Sequence, residues 1–278
     1  MRDIRSLALL AGVSLLGSAC GNAEPELLSE EEVKDMTFEA FLETAYDEPD
    51  SDVFVINGDE AVVGVDGLRE YFERRVRGGG GELGTSEGAL TAHCPDGGYN
   101  KWPPGVARNL TYCVSTAFGA RYSAVVSAMN SAAAAWEATA NVNFIYLNTY
   151  DSNCTASQTG VMFDVRPVTG MGYLARSFFP NGGRAGRNIL IDSSAFGMSA
   201  PWTLTGLLRH ELGHTLGFVH EQIRVTTSGC YDPGIGACPL TQYDPYSVMQ
   251  YPPCSGAQTG NFSLTALDQA GARAYYPF

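Results

Sequence analysis

The sequence predicts an α+β chain. Its expected parts are a mixed, mostly parallel twisted sheet with one antiparallel edge strand, a long helix, and an irregular C-terminal lobe that ends in a helix. Three observations carry this. Strand-like and helix-like segments alternate between residues 101 and 192. A helical pattern over 204–218, with Leu204, Leu207, Leu208, Leu212 and Leu216 three and four apart, runs into Gly217. Beyond His220 no regular period returns until about residue 264.

Taken in order, Lys101-Trp102-Pro103 opens a first strand that continues to 110–114. A helix over 122–139 follows, with Val125, Val126, Met129, Ala133 and Trp136 on one side. Segment 142–147 is rich in β-branched and aromatic residues, hence a strand; 160–166 and 172–179 read as two more, and 188–192 as a short buried strand. The closing helix spans 264–276, with Leu267, Ala270 and Tyr275 on its inner face. About 190 residues from 88 to 278 make one domain of ordinary size.

The N-terminal part divides further. Residues 1–20 carry Arg2 and Arg5, an apolar run and then Gly17-Ser18-Ala19-Cys20, an export signal too short to span a membrane. The cysteine at its end points to a lipoprotein signal and membrane attachment through lipidated Cys20; simple cleavage after Ala19 is the alternative. Either way the chain is expected to be exported, as a cell-envelope lipoprotein or a secreted protein, and to act as a monomer. Residues 21–52 are expected to be a solvated acidic tether or pro-segment. Residues 53–87 read as a hairpin around Asn57-Gly58, an amphipathic segment over 68–76, and a flexible joint at Gly78-Gly79-Gly80-Gly81.

Charge follows the same division. The net charge is −13, and residues 21–60 hold 14 acidic residues against one lysine. From residue 90 onward ten acids balance ten bases. No basic patch points to nucleic acid. Of seven cysteines, setting Cys20 aside leaves Cys94, Cys113, Cys154, Cys230, Cys238 and Cys254, enough for three disulfides in an exported domain. Cys230 and Cys238 flank a short Pro/Gly loop and make the easiest pair to assign.

Histidine usage points to chemistry. The chain has four histidines, and three fall in His210-Glu211-Leu212-Gly213-His214-Thr215-Leu216-Gly217-Phe218-Val219-His220. Four residues apart on a helix, His210 and His214 share a face and can aim at one point. A third ligand on the same helix would lie a turn too far. Gly217 can take a positive φ and end the helix, so that His220 returns from a new direction. Three imidazoles around one zinc ion leave a fourth position for water, the arrangement of a catalytic site. Zinc lowers the pKa of such a water to about 7, and Glu211 can take its proton. His93, alone in a Gly- and Pro-rich stretch, reads as an ordinary surface histidine.

The extended helix motif, its continuation His220-Glu221-Gln222-Ile223-Arg224, and the later Ser247-Val248-Met249-Gln250-Tyr251 together resemble the astacin family of metzincin zinc endopeptidases. The resemblance implies a metzincin-like catalytic domain acting on protein or peptide substrates. It implies Met249 as a hydrophobic floor under the zinc and Tyr251 as a further ligand that swings away to stabilise the transition state. Glu221 would contact the N-terminus freed by maturation. The edge strand, over 172–179, would pair with an extended peptide. One departure is Gln250, where family members usually carry histidine; another metzincin branch is the neighbouring reading. The stretch Asn57-Gly58-Asp59, with Phe54 upstream, loosely resembles the F-x-G-D motif whose aspartate occupies the zinc in such zymogens; a plain turn is the other reading. From a different class comes a non-catalytic surface lipoprotein, braced by zinc, that binds a partner. It has no use for Glu211 or Tyr251.

Overall fold

A computed structural model describes residues 36–49, 51–73, 90–94, 98–224, 237–255 and 257–278. The expected export signal with Cys20, the glycine run and Cys230 lie outside the described residues. Among the described residues no helix is long and apolar enough to cross a membrane.

The N-terminal part builds a small unit with its own core. Helix α1 (Phe38–Thr44) is capped by Thr37, whose hydroxyl accepts from the Ala40 amide. Strands β1 (Tyr46–Asp47), β2 (Val53–Ile56) and β3 (Glu60–Val63) form an antiparallel sheet, and helix α2 (Gly64–Tyr71) follows. Phe38, Phe41, Phe54, Ile56, Leu68 and Phe72 bury one another. Residues 36–49, within the stretch expected as tether or pro-segment, are folded onto this core. Phe38 and Phe41, three residues apart on one helix face, supply the apolar side of that packing. Between β2 and β3, Asn57 (φ 53°) and Gly58 (φ 93°) both take positive φ. That sharp reversal presents Asp59 at the tip.

The larger part begins at β4 (Thr91–His93) and continues with β5 (Leu110–Val114), α3 (Tyr122–Glu137), β6 (Phe144–Tyr146), β7 (Phe163–Val168), β8 (Ala175–Arg176) and β9 (Asn188–Asp192). Five of these strands form a sheet in the order β6-β5-β7-β9-β8. All pairings are parallel except that of β8, which runs antiparallel to β9 at the edge. Residues 101–103 are not a strand. Pro104 opens a single helical turn, Pro104–Ala107, as proline does at a first helical position. Trp102 is instead held by the C-terminal lobe, its amide donating to the Tyr276 hydroxyl at 3.1 Å.

Helix α4 (Leu204–Thr215) lies beside α3 on one face of the sheet, with Trp136 Nε1 donating to the Arg209 carbonyl. The main core fills this layer with Val125, Met129, Trp136, Val165, Ile189, Ile191, Leu208 and Leu212. Strands β10 (Phe218–Val219) and β11 (Ala237–Pro239) flank β4 in a second antiparallel sheet. Helix α5 (Ala266–Tyr275) closes the chain, its first turn fixed by a Thr265–Asp268 capping box.

Disulfides join Cys94 to Cys238 and Cys113 to Cys154, and Cys254 is also disulfide-bonded. The expected Cys230–Cys238 pair is thus wrong: β4 and β11 are neighbours, and their pairing brings Cys94 to Cys238 across a separation of 144 residues.

Candidate metal centre

The site grows from the end of α4. The Thr203 hydroxyl caps its start, accepting from the Gly206 amide at 2.9 Å. His210 and His214 sit one turn apart with ring centroids 5.0 Å from each other. After Thr215 the chain leaves the helix through Gly217, at φ 93°. A side chain there would also strike the Asn100 carbonyl at 2.2 Å, so only glycine fits. Pairing of β10 with β4 then turns the chain back and returns His220 to within 4.8 Å of the His214 ring.

Two of the imidazoles are fixed from behind. His210 Nδ1 donates to the Val248 carbonyl at 2.7 Å, and His214 Nδ1 donates to the Phe218 carbonyl at 2.9 Å. A carbonyl can only accept, so in both rings Nδ1 carries the proton and Nε2 offers its lone pair to the centre. Burial pushes His214 down to about 4, against the opposing pull of Asp59, so this ring is neutral at neutral pH.

The fourth group at the centre comes from the N-terminal unit. Asp59 places Oδ2 3.2 Å from His210 Nε2, and Oδ1 3.1 Å from His220 Nε2 and 3.5 Å from His214 Nε2. His210 Nε2 and His220 Nε2 are 3.3 Å apart. Burial opposes ionisation of Asp59, but His220 and His214 together hold its carboxyl well below the usual range. These four buried residues could hold one metal ion. Zinc fits them. A tetrahedron with bonds of about 2.0–2.1 Å has edges of about 3.3–3.4 Å, and the four spacings just given lie close around that value. Asp59 Oδ1 and His214 Nε2 make no well-formed hydrogen bond, although both are buried and aimed at the centre.

Glu211 is fully buried beside the cluster, and among the described residues neither of its oxygens has a hydrogen-bond partner. Burial first, then the charge of Asp59, pushes its carboxyl well above the ordinary range. Tyr251 lies over the rings, with centroids 5.6 Å from His210 and 4.3 Å from His220. Its hydroxyl donates to the Asn57 carbonyl at 3.1 Å, and burial followed by Asp59 raises it far above the tyrosine range. Met249 packs beneath, so close that a side chain at Gly213 would meet its sulfur at 2.3 Å. Glu221 accepts from Thr91 Oγ1 and Arg224 Nη1, each at 2.9 Å, and from the Asp244 amide.

The structure thus brings His210, His214, His220, Glu211 and Tyr251 together and adds Asp59. His93 is not a surface histidine. It is buried on β4, bonded to Asn100 Nδ2 at 2.8 Å and packed on Phe179, whose ring also meets the His214 ring edge-on. Sequence reasoning missed Asp268, which accepts from Ser247 Oγ at 2.6 Å and the Val248 amide at 2.8 Å, and so positions the carbonyl that orients His210. The Thr265–Asp268 spacing signals a helix cap, not this second duty. Also missed was Glu48, which bonds Arg176 of β8. The N-terminal unit meets the same edge again where Glu60 bridges Ser177 in parallel and the Ser177 amide donates to the Asp59 carbonyl at 3.1 Å.

The family profile described as Matrixin matches residues 101–228, somewhat less than half of the chain. The match supports a metzincin-type zinc peptidase acting on proteins or peptides. No curated protein matches the chain. Among solved structures, one titled "Structure of myroilysin" is 18% identical with a TM-score of 0.46, covering 68% of this chain and 98% of its own. A second, "Crystal structure of myroilysin", is 18% identical with a TM-score of 0.41, covering 64% and 86%.

Proposed function

We propose that the chain is the latent precursor of an astacin-like zinc endopeptidase that hydrolyses peptide bonds of proteins. The observation that carries this reading is a buried carboxylate without partners, Glu211, beside three imidazoles directed at one point. A metal that only braced the fold would have no use for Glu211, whose burial without a hydrogen bond is costly.

His210, His214 and His220 would hold the zinc, which when bound supplies a Lewis acid and an acidified water. Glu211 accepts the proton of the attacking water and passes it to the leaving amine. Tyr251, freed from Asn57, donates to the developing oxyanion. The free edge of β8 pairs with the backbone of an extended substrate. Gln250, at a position where astacins usually carry histidine, leaves these roles untouched. It is buried and bonded within the turn around Met249.

Residues 21–87 are read as a pro-segment. Asp59 stands at the corner where the water would bind, and removal of the segment by cleavage near the glycine run, within residues 77–92, releases it. Export, with lipidation of Cys20, completes the proposal. The test is hydrolysis of casein by the activated chain. Activity should vanish with a zinc chelator, return with zinc, and fall by about 10³-fold in Glu211→Gln with zinc retained. Chelator-resistant activity, or normal turnover by Glu211→Gln, would refute it.

A further inference from the structure

Arg176 is the outward-facing residue of edge strand β8. Its register partner is Leu190 of β9, which lies apart from the main core, whereas the neighbouring pair Ala175–Ile191 points into it. Arg176 is 2% exposed, one of the largest fully buried side chains among the described residues. What buries its charge is Glu48, on the loop that joins β1 to β2. Arg176 Nε and Nη2 donate to the two Glu48 oxygens at 2.9 and 2.7 Å, a bidentate pair. The Tyr173 hydroxyl donates to the same carboxylate at 2.5 Å, and Ser51 Oγ at 3.1 Å. The third guanidinium nitrogen donates to Asn188 Oδ1 at 2.6 Å, and Asn188 is held by the Ala185 carbonyl at 2.9 Å. Around this polar centre Val55 packs against Tyr173 and Leu190, with Val53, Val168 and Met171 at the rim.

Two facts give this arrangement meaning beyond holding the N-terminal unit. First, the ion-pair partner of Arg176 among the described residues belongs to the segment read above as removable, while Arg166 and Arg184 pair with Asp164 of the larger part. Removal of that segment leaves a guanidinium already oriented by Asn188, beside a tyrosine hydroxyl, with no carboxylate. Second, Ser177, the next residue along, is where Glu60 bridges this edge. A polypeptide lying on the free edge of β8 therefore passes directly beside Arg176, and alternate side chains of that polypeptide point to the same face.

The geometry points to a carboxylate-binding site made by Arg176, Tyr173 and Asn188, which takes an acidic side chain, flanked by apolar residues, from a polypeptide bound along β8; Glu48 is its occupant in the uncut chain. That the polypeptide is a substrate rests on the peptidase reading; that the site binds a carboxylate does not. In the cut enzyme the site gives a preference for glutamate or aspartate at one position beside the scissile bond. The effect enters through KM, because Arg176 does not touch the reacting atoms.

The test uses the full-length precursor, cut and freed of its N-terminal segment. Peptide substrates are compared in pairs that carry Glu or Gln at successive positions. At one position kcat/KM should favour Glu by about tenfold or more, the range of bonds to a charged group. Arg176→Gln should bring that ratio to about one, with the loss carried by the KM of the Glu peptide. Tyr173→Phe should reduce the ratio in part, and it serves alone if the arginine variant fails to fold. Equal rates for every pair, or a ratio unmoved by these variants, would overturn the proposal. A second arm separates this from the peptidase reading. A fluorescent peptide spanning residues 44–63 should bind the cut chain about tenfold or more tightly than its Glu48→Gln counterpart, whether or not the chain hydrolyses anything. Equal affinity would overturn the site. Glu48-dependent binding by a chain that cleaves no peptide would uphold the site and refute the enzyme.

Discussion

Replacing Asp59 with alanine in the uncut chain separates a chemical lock from a steric one. Asp59 approaches three imidazole nitrogens at 3.2, 3.1 and 3.5 Å, the spacing of ligands that share one ion. Removing one member of a buried charge-paired contact costs about 3–5 kcal/mol, so the carboxylate holds the closed arrangement by about 10²–10⁴-fold. Other contacts survive the change. Tyr251 still reaches the Asn57 carbonyl, Glu48 still clamps Arg176, and Ser177 still bonds the backbone at residue 59. The tether also keeps the segment at high effective concentration. Activation should therefore lie near the lower end, about 10²-fold over the uncut parent, measured as initial cleavage of a quenched fluorescent peptide. After cutting, parent and variant should be equal. An Asp59→Ala precursor as silent as its parent, but fully active once cut, would show that bulk across β8 causes latency and that the carboxylate is incidental.

Three further outcomes follow from the same geometry. His220→Ala should lose bound zinc on dialysis while keeping its far-ultraviolet dichroism; one zinc per chain by elemental analysis would argue against His220 as a ligand. Asp268 is pushed up to about 6 by burial, against hydrogen bonds from Ser247, Thr265 and Val248, so the folded chain binds its proton more tightly than the unfolded chain does. Its contribution to stability is therefore present at low pH and declines as pH rises from about 4 to about 6, by about 3 kcal/mol at most. Urea unfolding should show this slope in the parent and not in Asp268→Asn; parallel curves would refute it. Replacing Cys113 and Cys154 with alanine should cost about 2–5 kcal/mol by the same assay, with zinc content unchanged.

Helix α4 was legible because its information is local. His210 and His214 are one turn apart, and Gly217 marks where the chain must turn. Strand β9 and helices α3 and α5 were legible through unbroken periodicity, although β8 proved to be two residues at the centre of a longer expected strand. The failures are tertiary. Residues 38–44 look like part of an acidic tail until Phe38 and Phe41 are seen against Leu68 and Phe72. Cys94 finds Cys238 only because β4 lies between β10 and β11. His93 carries no pattern of its own, and its burial follows from that same small sheet. Asp59 lay between two readings, turn or ligand, since a reversal through Asn57 and Gly58 serves either; what separates them is where the tip lands, 151 residues away from its first partner, His210. Arg176 and Glu48 are 128 apart, and neither stands in any motif.

Anomalous diffraction at the zinc edge from crystals of the uncut chain probes the centre without relying on activity. One peak per chain is expected, about 2.0–2.1 Å from His210, His214 and His220 Nε2 and from one oxygen of Asp59. A peak bound elsewhere, or a metal at the three histidines with Asp59 turned away, would contradict the account.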